Sequence, residues 1–187
     1  MTDDKQYYHY LRQRSTLGLL YRRYWLYPRL SRHMHGQVLD VGCGIGDFLI
    51  HRPGTVGVDI NPANVEWCRH QGLDSHLMAL DILPFSDSNF DNAILDNVLE
   101  HLVLPTLLLR EIHRVLRPNG TLVVGVPGLR GYATDPDHKV FYDEALLVST
   151  LASAGFGVQQ VSHMPCRSDW LNSRMRQYCI YGVFKRE

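Results

Sequence analysis

The 187-residue sequence predicts an α/β domain built around a mainly parallel sheet, and three features carry that prediction. Short β-rich runs alternate with helical periods from residue 37 onward. The runs are continuously apolar rather than alternating, as strands covered on both faces are. The first of them leads directly into a glycine-rich turn, Gly42-Cys43-Gly44-Ile45-Gly46.

Each element follows from local chemistry. QVLDV (37–41), TVGVDI (55–60), DNAILD (91–96) and GTLVVGVP (120–127) read as strands. Asn61 as N-cap and Pro62 at the first helical position start a helix over 62–71 that stops at Gly72. Over 104–117, Leu104, Leu108, Ile112, Val115 and Leu116 share one face of an amphipathic helix. Pro118-Asn119-Gly120 ends it and turns the chain into the next strand. A third helix over 143–153 closes at Gly155. FGVQQVSHM (156–164) and RQYCIYGVFKR (176–186) read as strands joined by about a dozen residues, too few for a long crossover helix, so they are expected as antiparallel neighbours. Residues 1–36 differ in composition and are expected to form a helical cap, rich in Tyr, Trp and Arg and broken at Pro28, on a domain spanning 37–187.

At 45% hydrophobic and 20% charged, the composition is that of a globular domain. Cys43, Cys68, Cys166 and Cys179 are scattered without a CxxC pair, which excludes a zinc ribbon or a disulfide scaffold and favours reduced thiols in a cytoplasmic protein. The opening MTDDKQYYHY lacks the apolar core of a signal peptide. No apolar run approaches the roughly 20 residues of a membrane span. The net charge of zero is a sum of unlike parts: residues 1–35 hold seven Lys/Arg against two Asp, 36–166 seven against fifteen acidic residues, and 167–187 five against two. Such asymmetry bears on partners more than the total does.

The glycine turn is the strongest sign of chemistry. Glycine lets the backbone bend tightly and a ligand approach main-chain amides without a Cβ in the way. Asp40 precedes the turn, and Asp59 ends the second strand, where an acidic side chain accepts hydrogen bonds from both hydroxyls of a ribose. The spacing is G-x-G-x-G, one residue shorter than the dinucleotide fingerprint, and Asp47 follows it. An acidic residue at that helix start repels a pyrophosphate but tolerates a cationic, phosphate-free ligand.

In order, DVGCGIGDFL, GVDINP, LPFSDSNFD, NVLEHL, EIHRVLRPNGTLVVGVP and a closing helix ending in AGF resemble the successive motifs of class I S-adenosylmethionine-dependent methyltransferases, specifically the type 11 group. The resemblance implies a Rossmann-like, seven-stranded, mostly parallel sheet with an antiparallel last strand. It implies that Asp40, Gly42, Cys43, Gly44 and Gly46 wrap the methionine part of S-adenosyl-L-methionine, whose product is S-adenosyl-L-homocysteine. Asp59 would hold the ribose, Ile60 would pack on the adenine, and Asn97 would lie near the methionine end. The family's acid at the adenine amine is Ala79 here, so Asp81, or the backbone at Leu80 and Asp81, is expected to take that place. The segment before the second strand is short and implies a first helix of barely two turns.

Methyl transfer from a sulfonium is an in-line displacement, in which positioning supplies much of the rate and a base is needed only for a weakly acidic acceptor. Glu100 and His101 after the fourth strand, and His138 after the fifth, are the catalytic candidates, at the edge where open α/β sheets bind ligands; Asp96 lies beside them. Packing at the start of the next helix is the plainer reading of Glu100 and His101, and a solvated surface position that of His113. Asn97-Val98-Leu99-Glu100-His101 offers an amide where a second carboxylate would suit a hard cation, so no metal is expected. The basic cap, through Tyr7, Tyr8, Tyr10, Tyr21, Tyr24 and Trp25, is expected to help wall an acceptor pocket. Arg22, Arg23 and Arg29 interleaved with aromatics alternatively suit a membrane surface, or plain packing. The expected activity is methylation of an O or N atom of a small-molecule or sugar-linked, anionic acceptor, with nucleic acid not expected; YRRYWLYPRL and DPDHKVFY are similar to methyltransferases of bacterial surface-glycan and lipopolysaccharide synthesis. The rivals are a non-catalytic cofactor-binding partner and a nicotinamide-dependent oxidoreductase, the latter disfavoured by the glycine spacing and Asp47.

Overall fold

The computed structural model describes residues 16–187. In chain order the elements are α1 (Thr16–Tyr21), a π-helical turn (Arg22–Leu26), α2 (Tyr27–Ser31), β1 (Val38–Val41), α3 (Asp47–His51), β2 (Thr55–Asp59), α4 (Pro62–His70), β3 (Ser75–Leu77) and β4 (Phe90–Asp96). A 3-10 turn (Leu99–His101), α5 (Thr106–Val115), β5 (Leu116–Pro127), α6 (Leu129–Tyr132), α7 (Glu144–Ala152), β6 (Phe156–Met164), α8 (Asp169–Arg174) and β7 (Cys179–Arg186) complete the chain. The strands form one seven-stranded sheet in the order β3-β2-β1-β4-β5-β7-β6. Every neighbouring pair is parallel except those made by β7, which runs antiparallel between β5 and β6.

The period of two in each strand divides the apolar residues between the two faces. Leu39, Val41, Ala93, Leu95, Leu122, Val124 and Phe184 point to the face covered by α5 and α7, where Leu109, Ile112, Leu147 and Leu151 pack. Val38, Ile94, Val123, Tyr181 and Val183 point to the other, where Leu26, Tyr27, Leu30 and Met34 of the amino-terminal segment meet Phe48 of α3. Strands covered on both sides explain the continuous apolar runs in the sequence.

One helix start matches its sequence signal, the Asn61 side chain accepting from Ala63 N–H; Asp143, read as the first residue of its helix, instead caps it by accepting from Leu146 N–H. Other elements depart from expectation. Pro28 does not break the amino-terminal helix. It lies inside α2, and the preceding π turn, in which Tyr27 N–H bonds Arg22 O, shifts the hydrogen-bond register just before the residue that has no N–H to offer. The turn at Pro118-Asn119-Gly120 is an irregularity inside β5: Leu116 already pairs with Phe90, and regular pairing resumes at Thr121 with Asn92. Asn119 takes the left-handed conformation there, φ +61°. Leu104 is exposed rather than on the buried face, because α5 begins only after Pro105. His113 is not simply solvated; its ring packs edge-on against Phe156. Among the described residues no helix is long and apolar enough to cross a membrane.

Candidate active site

The order of the sheet reverses direction between β1 and β4, and a crevice at the carboxyl ends of those strands is where such sheets bind ligands. Gly42, Gly44 and Gly46 line it, all left-handed, with φ of +77°, +54° and +82°. The Gly42 and Cys43 amides bond Val58 O at 2.8 and 2.9 Å, bending the loop over β2. A Cβ on Gly42 would lie 2.5 Å from Val98 Cγ2, so the close approach as well as the backbone angle requires glycine. α3 has five residues, shorter still than the two turns expected.

Asp59 is buried at the end of β2. One carboxylate oxygen accepts from Gly44 N–H at 2.8 Å; the other accepts from Asn61 N–H at 2.8 Å and from Asn64 Nδ2 at 3.3 Å. Burial raises its pKa and these donors oppose the rise. It thus ties the glycine loop to β2, and the loop-bonded oxygen keeps a lone pair for a further donor. Next to it Ile60 is exposed, as are Leu80 and Ile82 beyond β3. Asp81 is half-buried in the turn between Ala79 and Ile82, which pair as an isolated bridge. Cys43 points inward, its Sγ 3.7 Å from Ser75 Oγ, leaving only its backbone toward the loop surface.

Asp40 is buried beneath the loop, and its pKa is driven well up by burial and by the carboxylates of Asp96 and Asp59. Asp96 accepts from Tyr181 OH at 2.7 Å, from Asn97 Nδ2 at 2.9 Å and from Arg22 at 3.3 Å. Asn97 stands at φ +57°, a conformation asparagine tolerates, with its N–H on Gly125 O. Carboxylates therefore converge on the crevice from β1, β2 and β4. That donor set, with Asp47 opening α3, fits the cationic, phosphate-free S-adenosylmethionine and opposes a pyrophosphate.

Glu100, His101 and His138 are brought together. One ligand atom from each lies within 4.8 Å of the others. Glu100 is wholly buried in the 3-10 turn, and among the described residues no other residue donates a hydrogen bond to its carboxylate; burial, against its own backbone N–H and with Asp96 and Asp135, pushes its pKa up to about 8. His138 Nδ1 lies 3.0 Å from Tyr132 O, so that nitrogen carries the proton, and Nε2 faces Glu100 at 3.7 Å. The two imidazoles meet edge to face at 4.7 Å between centroids, and burial followed by His138 lowers the pKa of His101. Neither Glu100 nor His101 caps α5, whose N-cap is Pro105.

Two arrangements are not legible in the sequence. The first is the latch of Arg22 and Tyr181 on Asp96: Arg22 also donates to Tyr27 OH at 3.0 Å, fastening the amino-terminal segment to the crevice. The second is His163, at the carboxyl end of β6, between Glu144 at 2.7 Å and Tyr178 OH at 2.6 Å. A cavity of about 410 Å³ there is lined by Leu129, Phe141, Glu144, His163 and Asn172. Their partners lie from 5 to 85 residues apart and share no spacing. Of the proposed aromatic walls, Tyr24 and Trp25 are exposed, while Tyr7, Tyr8 and Tyr10 lie outside the described residues.

A doubly covered sheet of this order, with a glycine loop after β1 and an acidic residue ending β2, defines a class I methyltransferase domain. Residues 39–124 match the type 11 family model described as a methyltransferase domain. A probable S-adenosylmethionine-dependent methyltransferase of Mycolicibacterium smegmatis is 30% identical over 166 residues, 79% of this chain and 65% of that one. A fatty-acid O-methyltransferase of the same organism is 39% identical over 95 residues, 45% of this chain and 34% of the other. The crystal structure of a Thermotoga maritima S-adenosylmethionine-dependent methyltransferase, described as a possible histamine N-methyltransferase, has the same fold. Its TM-score is 0.78 over 98% of this chain and 97% of that one, at 18% identity. Within the class, residues 39–124 match the type 11 methyltransferase domain, and the chain is similar to relatives that carry the name S-adenosylmethionine-dependent methyltransferase. It spans from 33% to 65% of the length of curated relatives it matches.

Proposed function

We infer that the protein methylates an oxygen or nitrogen of a small-molecule acceptor, with Asp40, Asp59, the glycine loop, Ile60, Asp81 and Asn97 holding the cofactor and Glu100, His101 and His138 activating the acceptor. One observation carries this reading: the carboxylate-lined crevice lies at the carboxyl ends of β1 and β4, and the Glu100–His101–His138 cluster is assembled from the turn after β4 and the loop after β5, at the same edge of the sheet. When bound, S-adenosylmethionine supplies a methyl group already activated on a sulfonium. The chain's residues have to hold that cation, exclude water and ready the acceptor's lone pair. An amine needs little help, whereas a hydroxyl needs polar groups to draw off its proton, and the cluster provides them. The fatty-acid O-methyltransferase named among the relatives agrees with an oxygen acceptor.

An anionic, sugar-linked acceptor is the finer reading. It is supported by a cavity of about 470 Å³ beside α3, where Arg22, Arg23 and His51 outnumber the one carboxylate, Asp47, and Tyr24 and Tyr27 complete the polar lining. Exposed Leu17, Leu20, Tyr24 and Trp25 near Arg23 and Arg29 also suit contact with an anionic membrane surface; sedimentation with phosphatidylglycerol vesicles tests that role. Calorimetric titration with S-adenosylhomocysteine and with NADH tests the core of the proposal. Binding of the first alone is expected, and tight NADH binding without it would overturn the assignment. A protein that binds the homocysteine compound but transfers no label from methyl-labelled cofactor to hydroxylated or phosphorylated sugars would instead fit a non-catalytic partner.

A further inference from the structure

We propose that Glu100, His101 and His138 form a binding site for one divalent first-row transition-metal ion, such as Mn²⁺, Co²⁺ or Zn²⁺. The sequence alone argues against a metal because Asn97 supplies no carboxylate; the folded cluster supplies a different donor set, one carboxylate and two imidazoles. Glu100 is the first observation. It is fully buried, yet among the described residues no other residue donates a hydrogen bond to either oxygen, and Nε2 of His138 stops at 3.7 Å, beyond hydrogen-bonding distance. A buried polar group without a partner is costly, and a cation is the partner that its surroundings otherwise lack.

The imidazoles are the second. His138 is tethered through Nδ1 to Tyr132 O at 3.0 Å, which fixes the tautomer and turns the Nε2 lone pair toward Glu100. One nitrogen held by main chain with the other directed inward is how histidine ligands are oriented. The His101 ring meets that of His138 edge to face at 4.7 Å between centroids and places one nitrogen within 4.8 Å of the Glu100 and His138 ligand atoms. Asp135 brings a further oxygen to 3.9 Å from His138 Nε2. Two nitrogens with carboxylate oxygen favour a borderline cation over Ca²⁺ or Mg²⁺, which prefer oxygen throughout. The catalytic consequence rests on the acceptor reading above: a positive charge here lowers the pKa of an approaching hydroxyl, which sheds its proton to water before its oxygen attacks the methyl group.

The binding test needs no turnover. The full-length protein, stripped with chelator, is titrated with Co²⁺ and followed by visible absorption and calorimetry, then with Zn²⁺, Mn²⁺ and Mg²⁺. One equivalent of Co²⁺ with nitrogen-ligated visible bands, displaced by Zn²⁺ and poorly by Mg²⁺, is expected. Glu100→Gln and His138→Ala should each weaken it at least tenfold. S-adenosylhomocysteine binding reports whether each variant is folded, and His101→Ala, at a less buried position, serves if Glu100→Gln fails to fold. No stoichiometric Co²⁺ binding, or binding unchanged in the His101→Ala/His138→Ala double variant, overturns the site. Homocysteine-compound binding persists in that case, so the cofactor assignment stands apart. Stoichiometric binding that leaves methyl transfer the same with and without metal supports the site and overturns its acceptor role.

Discussion

Asp59 fixes the glycine loop through Gly44 N–H, and the proposed function gives its carboxylate a second task, accepting from the cofactor's ribose. Asp59→Ala is therefore expected to weaken S-adenosylhomocysteine binding by about 1.5–3 kcal/mol, the range for hydrogen bonds to a charged group; calorimetry that finds an unchanged dissociation constant would remove the ribose assignment. Gly46 tests the loop's backbone. It sits at φ +82°, and a Cβ there would meet Leu73 Cδ1 at 2.5 Å. Gly46→Ala should cost about 1–2 kcal/mol of folding stability from the left-handed conformation alone, read as a shift in the urea midpoint. Both positions were legible in the sequence because a glycine turn after an apolar strand has few other uses. Glu100, His101 and His138 were legible as candidates from their place after β4 and β5. Their convergence was not, because it depends on the Tyr132 carbonyl and on a loop whose path no local signal encodes.

The elements divide in the same way. The four strands read from apolar runs, the capped helix after Asn61 and the antiparallel pair at the end of the chain were visible because each depends on neighbours within a few residues. β3, Ser75–Leu77, has three residues and too little pattern to register. Pro28 misled because a proline's missing N–H is normally a helix stop, and only the π turn ahead of it accommodates the residue. That segment holds to the sheet by burying Leu26, Tyr27 and Leu30 and by the Arg22–Asp96 pair, whose side chains are 24% and 10% exposed. Arg22→Ala is expected to destabilise the fold by about 1–2 kcal/mol, less than the loss of a fully buried ion pair because water still reaches Arg22. Arg22→Lys should recover part of it. Equal thermal midpoints for wild type and Arg22→Ala would mean that the apolar contacts alone hold the segment.

Across the whole molecule, the net charge of zero conceals a division of labour between a basic amino-terminal segment and an acidic sheet edge. Asp40 is the group in which this becomes measurable. Burial, Asp96 and Asp59 all raise its pKa, so the ligand-free protein holds a proton there at pH values where a solvated aspartate would be ionised. A cationic ligand favours the carboxylate, and binding must then expel that proton. Affinity for S-adenosylmethionine is accordingly expected to rise with pH and to level off once Asp40 is already ionised in the free protein. Calorimetry in buffers of different ionisation enthalpy should record the released proton. Asp40→Asn should flatten the profile, and comparing the two proteins over one pH range cancels the ligand's own titration. The same shift acts on folding with a definite sign. Because the folded state binds the proton more tightly than the unfolded chain, Asp40's contribution to stability is complete below the ordinary aspartate pKa and is lost as pH rises through the raised one. Cofactor should therefore protect the fold more strongly at the upper end of the range, where the free protein is weakened and the ligand binds best. Equal pH dependence of thermal stability in wild type and Asp40→Asn would place the negative field of the crevice elsewhere, on Asp59 and Asp96.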